Sequence, residues 1–399
     1  MAKQNPIEIS VIIPTYNKYP QNLLTLYSLE HQSFDLSKVE VIMIDDGSTD
    51  QTKKVLESHP FPFSFYYIRS EKNIGRPAAR NLGLKAARGN IIIFLDAEIL
   101  VRSNFLQIHH SYHQQTPNLV VTGIMFLKRL YSVLFPDFSQ KQLEECRELM
   151  MRHRGMAQKF EDFTNSPQVI PLIEKRDIFR QNYTRMSLPT HFETLYKYLI
   201  INNYGYSLTN YQIPWQLFGT GHVSVSKKAI DQVGPFAEYP GYGWDDCEMG
   251  YRLYKNGATY VTDRRLISYH QEHPVLTSIK DESKKNYYRF QETYKEVDQM
   301  IISLTFLPHP YNLHETNQIY IQYQQLMNEH LSKLPVIRRT FYLMLRKIGV
   351  LASQKSKLTN LKPELSHEDR KKLKDERLFL KSLNRYELFI ECFERLENL

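Results

Sequence analysis

The sequence predicts an α/β protein: a mostly parallel sheet flanked by helices, with a helical insertion and a helical C-terminal extension. Three observations predict it. Hydrophobic, β-branched runs of strand length recur at 8–17, 39–50, 65–68 and 90–98 without clean alternation, as expected of strands buried on both faces. Helix-forming segments separate them with short links, the pattern of a parallel sheet. Between 126 and 210, and again beyond 275, the periodicity turns helical and aromatic.

Each element follows from its residues. Glu8 to Asn17 reads as a buried strand that stops at Pro14, because proline cannot donate to a central ladder. A helix follows through Leu23, Leu24, Leu26, Tyr27 and Leu29. Val39 to Asp50 is a second strand ending in Asp45, Asp46 and a turn, with Ser48 or Thr49 placed to cap a helix starting near Gln51. Phe65 to Ile68 is a shorter strand, and the stretch from Asn73 to Gly89 ends as a helix with Gly89 at its C-terminal cap. The strand that follows, Ile91 to Leu95, ends in Asp96 and Glu98. On extended backbone two such side chains point the same way, toward the carboxyl end of the sheet where ligands bind. Two hard oxygen donors there suit Mg²⁺ or Mn²⁺, and such an ion suits a diphosphate; out of context the same pair is a solvated loop.

The 399 residues suffice for one large or two ordinary domains. Lys and Arg number 51 against 43 acidic residues, a balance that fits nucleotides, phosphates or membrane surfaces without choosing among them. Cys146, Cys247 and Cys392 share no spacing, which argues against a disulfide framework or zinc site and for a reducing, cytoplasmic setting. No charged-then-apolar leader opens the chain, and no apolar run reaches bilayer-spanning length; the expectation is a protein neither exported by such a signal nor integral to a membrane.

Pro14-Thr-Tyr-Asn17, Asp45-Asp-Gly-Ser-Thr-Asp50, Asn73-x-Gly75 with Ala79-Arg-Asn81, and Phe94-Leu-Asp96 with Glu98 occur in this order. Together they resemble the nucleotide-sugar-binding half of family 2 glycosyltransferases. The resemblance implies the GT-A fold, a Rossmann-like mixed sheet. It implies a catalytic domain over 1–275, comprising a nucleotide-sugar half (1–125), the helical insertion (126–210) and an acceptor-side half (211–275), before a helical region at 276–399. By the same resemblance Pro14, Thr15 and Tyr16 line the uracil site, Asp46 contacts the nucleoside with Asp45 close by, and Arg80 approaches the base or diphosphate. Asp96 and Glu98 stand for the family's metal-binding Asp-x-Asp, with Asp96 also facing the donor and Glu98 one methylene longer than the pattern.

Downstream, Trp215 to Ser226 resumes the resemblance, with His222 where the family has Asn. Gly241-Tyr-Gly-Trp-Asp-Asp-Cys-Glu-Met-Gly-Tyr-Arg252 is similar to the acceptor-side motif of chondroitin-polymerase and galactosyltransferase-like members, Asp245 replacing their Glu. That match makes Asp246 the general base, gives Asp245 the acceptor to orient, and lets Trp244 offer a ring face to a sugar. Tyr269-His-Gln-Glu-His-Pro274 resembles the segment that supplies a metal-binding histidine, with His270 the ligand and His273 the second candidate. Ordinary readings stand beside these. Asp245-x-x-Glu248 is also a capping box for a helix ending near Gly257, and both readings can hold together; Asp46 before Gly47 is also turn chemistry.

Within 334–353, Ile337, Phe341, Met344, Leu345 and Ile348 recur at helical spacing beside Arg338, Arg339, Arg346 and Lys347. Such a helix either lies on an anionic membrane surface or packs on the catalytic domain or a twin subunit, and packing is favoured. Residues 361–399 read as a helical hairpin broken near 363–368. The expectation is a cytoplasmic, metal-dependent, inverting glycosyltransferase, peripheral on the inner face of the cell membrane if 334–353 touches lipid. It would carry a UDP-linked sugar, with Mn²⁺ or Mg²⁺, to a hydroxyl of a glycan or lipid-linked acceptor, with a homodimer compatible and no nucleic-acid partner. Two rivals are weighed. A sugar-nucleotide nucleotidyltransferase wants a Gly-rich basic loop where Pro14-Thr-Tyr-Asn17 stands, and an inactive sugar- or membrane-binding module would lack Asp46, Asp96, Glu98 and Asp246.

Overall fold

The structure, a computed structural model, describes residues 6–57, 60–153, 156–274 and 279–399. Its strands are β1 (Ile9–Thr15), β2 (Val39–Asp45), β3 (Ser64–Arg69), β4 (Ile91–Leu95), β5 (Ile99–Val101), β6 (Leu119–Thr122), β7 (Leu127–Leu130), β8 (Val133–Leu134), β9 (Ile170–Pro171), β10 (Ser187–Pro189), β11 (His222–Ser226), β12 (Thr259–Thr262) and β13 (Ser268–Gln271). The large sheet runs β12-β6-β11-β4-β1-β2-β3. Within it β11 runs antiparallel to β4 and β6, while the other pairings are parallel. This is the mixed, mostly parallel sheet expected above.

Burial on both faces explains the continuous apolar strands. Ile12, Ile42, Ile92 and Phe94 pack into one core, while Val11, Ile13, Val41, Ile91 and Ile93 pack into another on the opposite face. Residues alternate between faces, so a strand covered twice has no polar side to show.

Several local expectations are corrected. β1 does not stop at Pro14 but runs to Thr15. The Glu8 carbonyl accepts from Ile91 of β4, whereas the Thr15 carbonyl accepts from Asp46 beyond β2. Alternate residues thus turn to alternate neighbours, and Pro14, in phase with Glu8, turns its nitrogen toward β4. Pairing with β4 ends at Ile12, so no ladder bond is lost there. Gln51–Glu57 is a 3₁₀ helix started by Asp50, whose carboxylate accepts the Thr52 amide at 2.9 Å; Ser48 instead accepts the Asn17 amide at 3.0 Å. The helix Arg76–Ala86 ends before Gly89. A Cβ on Gly89 would sit 2.6 Å from the Ser10 amide nitrogen, so that glycine permits close approach to β1 rather than capping a helix.

The segment 126–210 is not purely helical. It contributes β7 and β10 to a second sheet, β10-β7-β13-β5, which carries His270 beside the turn after β4. Its long helix, Gln140–Met151, is capped by Ser139 in a full capping box, and Cys146 and Met150 are buried against the sheet.

The C-terminal helices continue the core under one face of the large sheet: Tyr287, Phe290, Phe341 and Phe389 belong to the same packed cluster as Ile12 and Phe94. In the helix Pro335–Ser353, Ile337, Phe341, Met344, Leu345 and Ile348 are all buried, with Phe341 5.0 Å from Phe389. Arg346 pairs with Glu292 at 2.8 Å and Arg339 with Asp369 at 2.6 Å. The apolar stripe is filled by protein, as the packing reading of this helix expects. Among the described residues no helix is long and apolar enough to cross a membrane.

Candidate active site

The carboxyl ends of β1, β2 and β4 meet at one sheet edge, the place where an α/β sheet binds ligands. Thr15 is buried there and Tyr16 is 45% exposed. The Asp45 carboxylate is wholly buried and accepts from the Ser48 amide at 2.8 Å, from the Tyr67 hydroxyl and from the Arg69 guanidinium. Burial raises its pKa, but those donors outweigh it and hold the group below its ordinary value. Asp45 therefore shapes the turn. Asp46 accepts from the Ile74 amide at 2.7 Å and the Gly75 amide at 3.0 Å, tying β2 to the loop that opens the helix Arg76–Ala86. Burial pushes the Asp46 carboxyl up, with those two amides opposing. A carboxylate has about four lone-pair sites, so two remain for a ligand.

Arg80 organises the next layer. It is 2% exposed and donates to Asp245 Oδ2 at 3.0 Å and Asp96 Oδ1 at 3.3 Å. One guanidinium thus joins the end of β4 to the first residue of the helix Asp245–Lys255. Asp246 follows, half-buried, its Oδ1 accepting the Cys247 amide at 2.8 Å. Burial and the neighbouring Asp245 raise its pKa to about 6, with Arg80 opposing. The capping-box expectation fails here. The residue before the helix is Trp244, with φ 72° and no side-chain cap, while Asp245 is taken by Arg80 and Glu248 by Arg252 at 2.8 Å. The Trp244 ring packs 4.7 Å from Tyr287 and 6.0 Å from Phe290, leaving it only partly exposed.

Asp96 and Glu98 are not side by side on an extended strand. The Ile99 amide donates to the Asp96 carbonyl at 3.1 Å, closing a turn that sends the two acids to different partners. Glu98 meets Lys18 at 3.0 Å and His273 at 3.5 Å. One carboxylate oxygen of Glu98 and one ring nitrogen each of His270 and His273 lie within 4.8 Å of one another. This mixed oxygen and imidazole set fits Mn²⁺ and, less well, Mg²⁺. His270 Nδ1 lies 3.2 Å from Glu272, which in turn meets Arg129 at 3.2 Å; a carboxylate behind a histidine fixes its ring for a ligand. Burial lowers the His270 pKa, but Glu272 and Glu98 outweigh it and raise the group.

Lys18 and Arg129 escaped sequence reasoning because nothing in their local sequence ties them to the cluster; Glu272 stands inside the histidine segment, but its hold on His270 shows only in the structure. His222 faces inward instead. Its ring meets His109 at 3.0 Å and Ser268 at 3.1 Å, and burial pushes its pKa down to about 3.

Comparison with known proteins gives this arrangement a class. The description "Glycosyl transferase family 2" matches residues 10–170. A Bacillus subtilis (strain 168) protein named "Uncharacterized glycosyltransferase YfnE" is 33% identical over 80% of this chain and 79% of its own length. "Chondroitin synthase" of Escherichia coli is 26% identical over 67% of this chain, which spans 35% of that longer protein. The crystal structure of S. aureus TarS 1-349 superposes with a TM-score of 0.49 at 15% identity, over 94% of this chain and 90% of that one. The protein is a glycosyltransferase. It belongs to family 2.

Proposed function

We propose that the chain is an inverting, metal-dependent glycosyltransferase that moves a sugar from a UDP-sugar to a hydroxyl of a glycan or lipid-linked acceptor. The observation that carries the reading is the double ion pair of Arg80, which draws Asp96 on the donor side and the start of the helix bearing Asp246 to one end of the sheet. The name of the Escherichia coli relative points to a glycan as acceptor.

The acceptor oxygen attacks the anomeric carbon as the bond from that carbon to the diphosphate oxygen breaks, and the acceptor proton passes to Asp246. Attack opposite the leaving group inverts the centre and needs no covalent enzyme intermediate. A pKa of about 6 leaves Asp246 ionised at neutral pH yet more basic than an ordinary aspartate, which suits a general base. Asp245, fixed by Arg80, orients the acceptor, and Trp244 offers the exposed part of its ring to a sugar. Thr15, Tyr16 and Asp46 face the nucleoside. Glu98, His270 and His273 would hold Mn²⁺ or Mg²⁺, with Asp96 on the donor side; the bound cation supplies charge neutralisation for the departing diphosphate. Lys18 must release Glu98 when it does.

The test is UDP release from a panel of UDP-sugars, with Mn²⁺ present or chelated, followed by the Asp246→Asn protein. Loss of about 10²-fold or more in kcat is expected for that variant. Metal-independent turnover, or full activity of Asp246→Asn, overturns the mechanism.

A further inference from the structure

We infer that Asn286, in the C-terminal helix Ile279–Tyr294, is a positioning residue for the loop that leads into the helix carrying the base; the inference rests on the assignment of Asp246 to that role. The loop 239–244 is largely exposed on its outer side, and its backbone is unusual, with φ of 74° at Gly241, 91° at Gly243 and 72° at Trp244. A tryptophan in the left-handed region is strained and persists only where its surroundings over-determine it.

One helix supplies those surroundings. Asn286, 1% exposed, donates from Nδ2 to the Pro240 carbonyl at 2.9 Å and to the Tyr242 carbonyl at 3.1 Å. Its Oδ1 accepts from Arg289 at 2.7 Å, which fixes the amide so that both donors face the loop. Trp244 Nε1 donates to Ser283 Oγ at 3.1 Å, one turn earlier on the same helix. From the opposite side the Arg76 guanidinium lies 4.7 Å from the Tyr242 ring centre, at the start of the helix that carries Arg80. The loop is held between a donor-side helix and a C-terminal helix, and the next residues in the chain are Asp245 and Asp246. Asn286 touches no reacting atom. It acts through the loop, whose displacement moves the base relative to the acceptor hydroxyl, and a misplacement of about 1 Å costs ~10²-fold in rate.

Asn286→Asp keeps the side-chain shape and the Arg289 contact while removing both donors. The assay uses UDP-glucose or UDP-N-acetylglucosamine, whichever the wild-type protein turns over, with a soluble hexoside acceptor. The expected result is a fall of about tenfold or more in transfer kcat. The ratio of UDP released by hydrolysis to sugar transferred should rise while affinity for UDP holds; the urea midpoint falls as well, because a buried carboxylate then faces the two carbonyls. A residue that only stabilised the fold would lower the midpoint and leave the ratio unmoved. Wild-type kcat with an unchanged ratio overturns the inference. If Asn286→Asp does not fold, Gly243→Ala carries the test, because its added Cβ would stand 3.2 Å from Ser283 Oγ and displaces the same loop from outside the core. An unchanged ratio there overturns the inference equally. Full activity of Asp246→Asn would instead remove the base assignment, whatever Asn286 does.

Discussion

Arg80→Gln removes the charge that bridges Asp245 at 3.0 Å and Asp96 at 3.3 Å. The guanidinium is almost wholly buried, so water does not replace it freely. Removing one partner of a buried pair costs about 3–5 kcal/mol. The Asp96 side chain is 32% exposed and partly screened, so the lower end, about 3 kcal/mol, is expected. Three carboxylates then face one another, and they repel only while ionised. Asp246, raised to about 6, is mostly charged at neutral pH, so its share of that repulsion is present there and is lost as pH falls through its pKa. The same change acts on catalysis. Burial and Asp245 raise Asp246 to about 6 against the pull of Arg80, and without that pull the pKa rises further. A base works only when ionised, so activity climbs as pH rises through its pKa, and the climb moves to higher pH in the variant. Urea midpoints at two pH values and kcat/KM against pH measure both effects. A stability loss with an unmoved pH profile would show that Arg80 holds the fold without tuning the base. An unchanged midpoint with an unmoved profile would refute the electrostatic argument altogether.

Two further outcomes are expected. Glu98→Gln or His270→Ala should weaken Mn²⁺ binding, read by electron paramagnetic resonance without any sugar donor, by about tenfold or more; wild-type affinity in both would remove the cluster as a metal site. Phe341→Ala should lower stability by about 3–5 kcal/mol in urea, since the ring is fully buried against Tyr323 and Phe389, and should leave co-sedimentation with anionic vesicles unchanged. Vesicle binding that depends on Phe341 would return that helix to the membrane surface.

Much of this was legible in the sequence where one local rule decides the outcome. Ile91 to Leu95 is apolar without alternation because both faces are covered, and the burial of Ile92 and Ile93 in opposite cores bears that out. Ile337, Phe341 and Ile348 announce a buried stripe at helical spacing, but spacing does not say what covers it; partners distant in sequence do, such as Phe389 against Phe341. The strands of 126–210 were missed because they are two to four residues long and pair only with distant partners such as β13. Asp245 looked like a cap because sequence shows Glu248 three residues on, and not Arg80 arriving from 165 residues away to take the carboxylate first. Asn286 carries no motif at all, and its two carbonyl partners lie 46 and 44 residues upstream.

The acids after β4 show most clearly how a sound rule can misplace a site. Side chains two apart converge only while the chain stays extended, and β4 ends at Leu95. The turn closed by Ile99 onto Asp96 ends the extended backbone on which that convergence depends. Asp96 stays at the large sheet against Arg80. Glu98 crosses to the second sheet, where its carbonyl accepts the Gln271 amide at 2.8 Å and its carboxylate meets His273. The two acids therefore have separate partners: Asp96 is coupled through Arg80 to Asp245, and Glu98 to the histidines. Seen this way, glutamate at 98 is a matter of reach. Its extra methylene lets the carboxylate clear its own turn and arrive within 4.8 Å of ring nitrogens on the neighbouring sheet. Lys18 at 3.0 Å balances its charge.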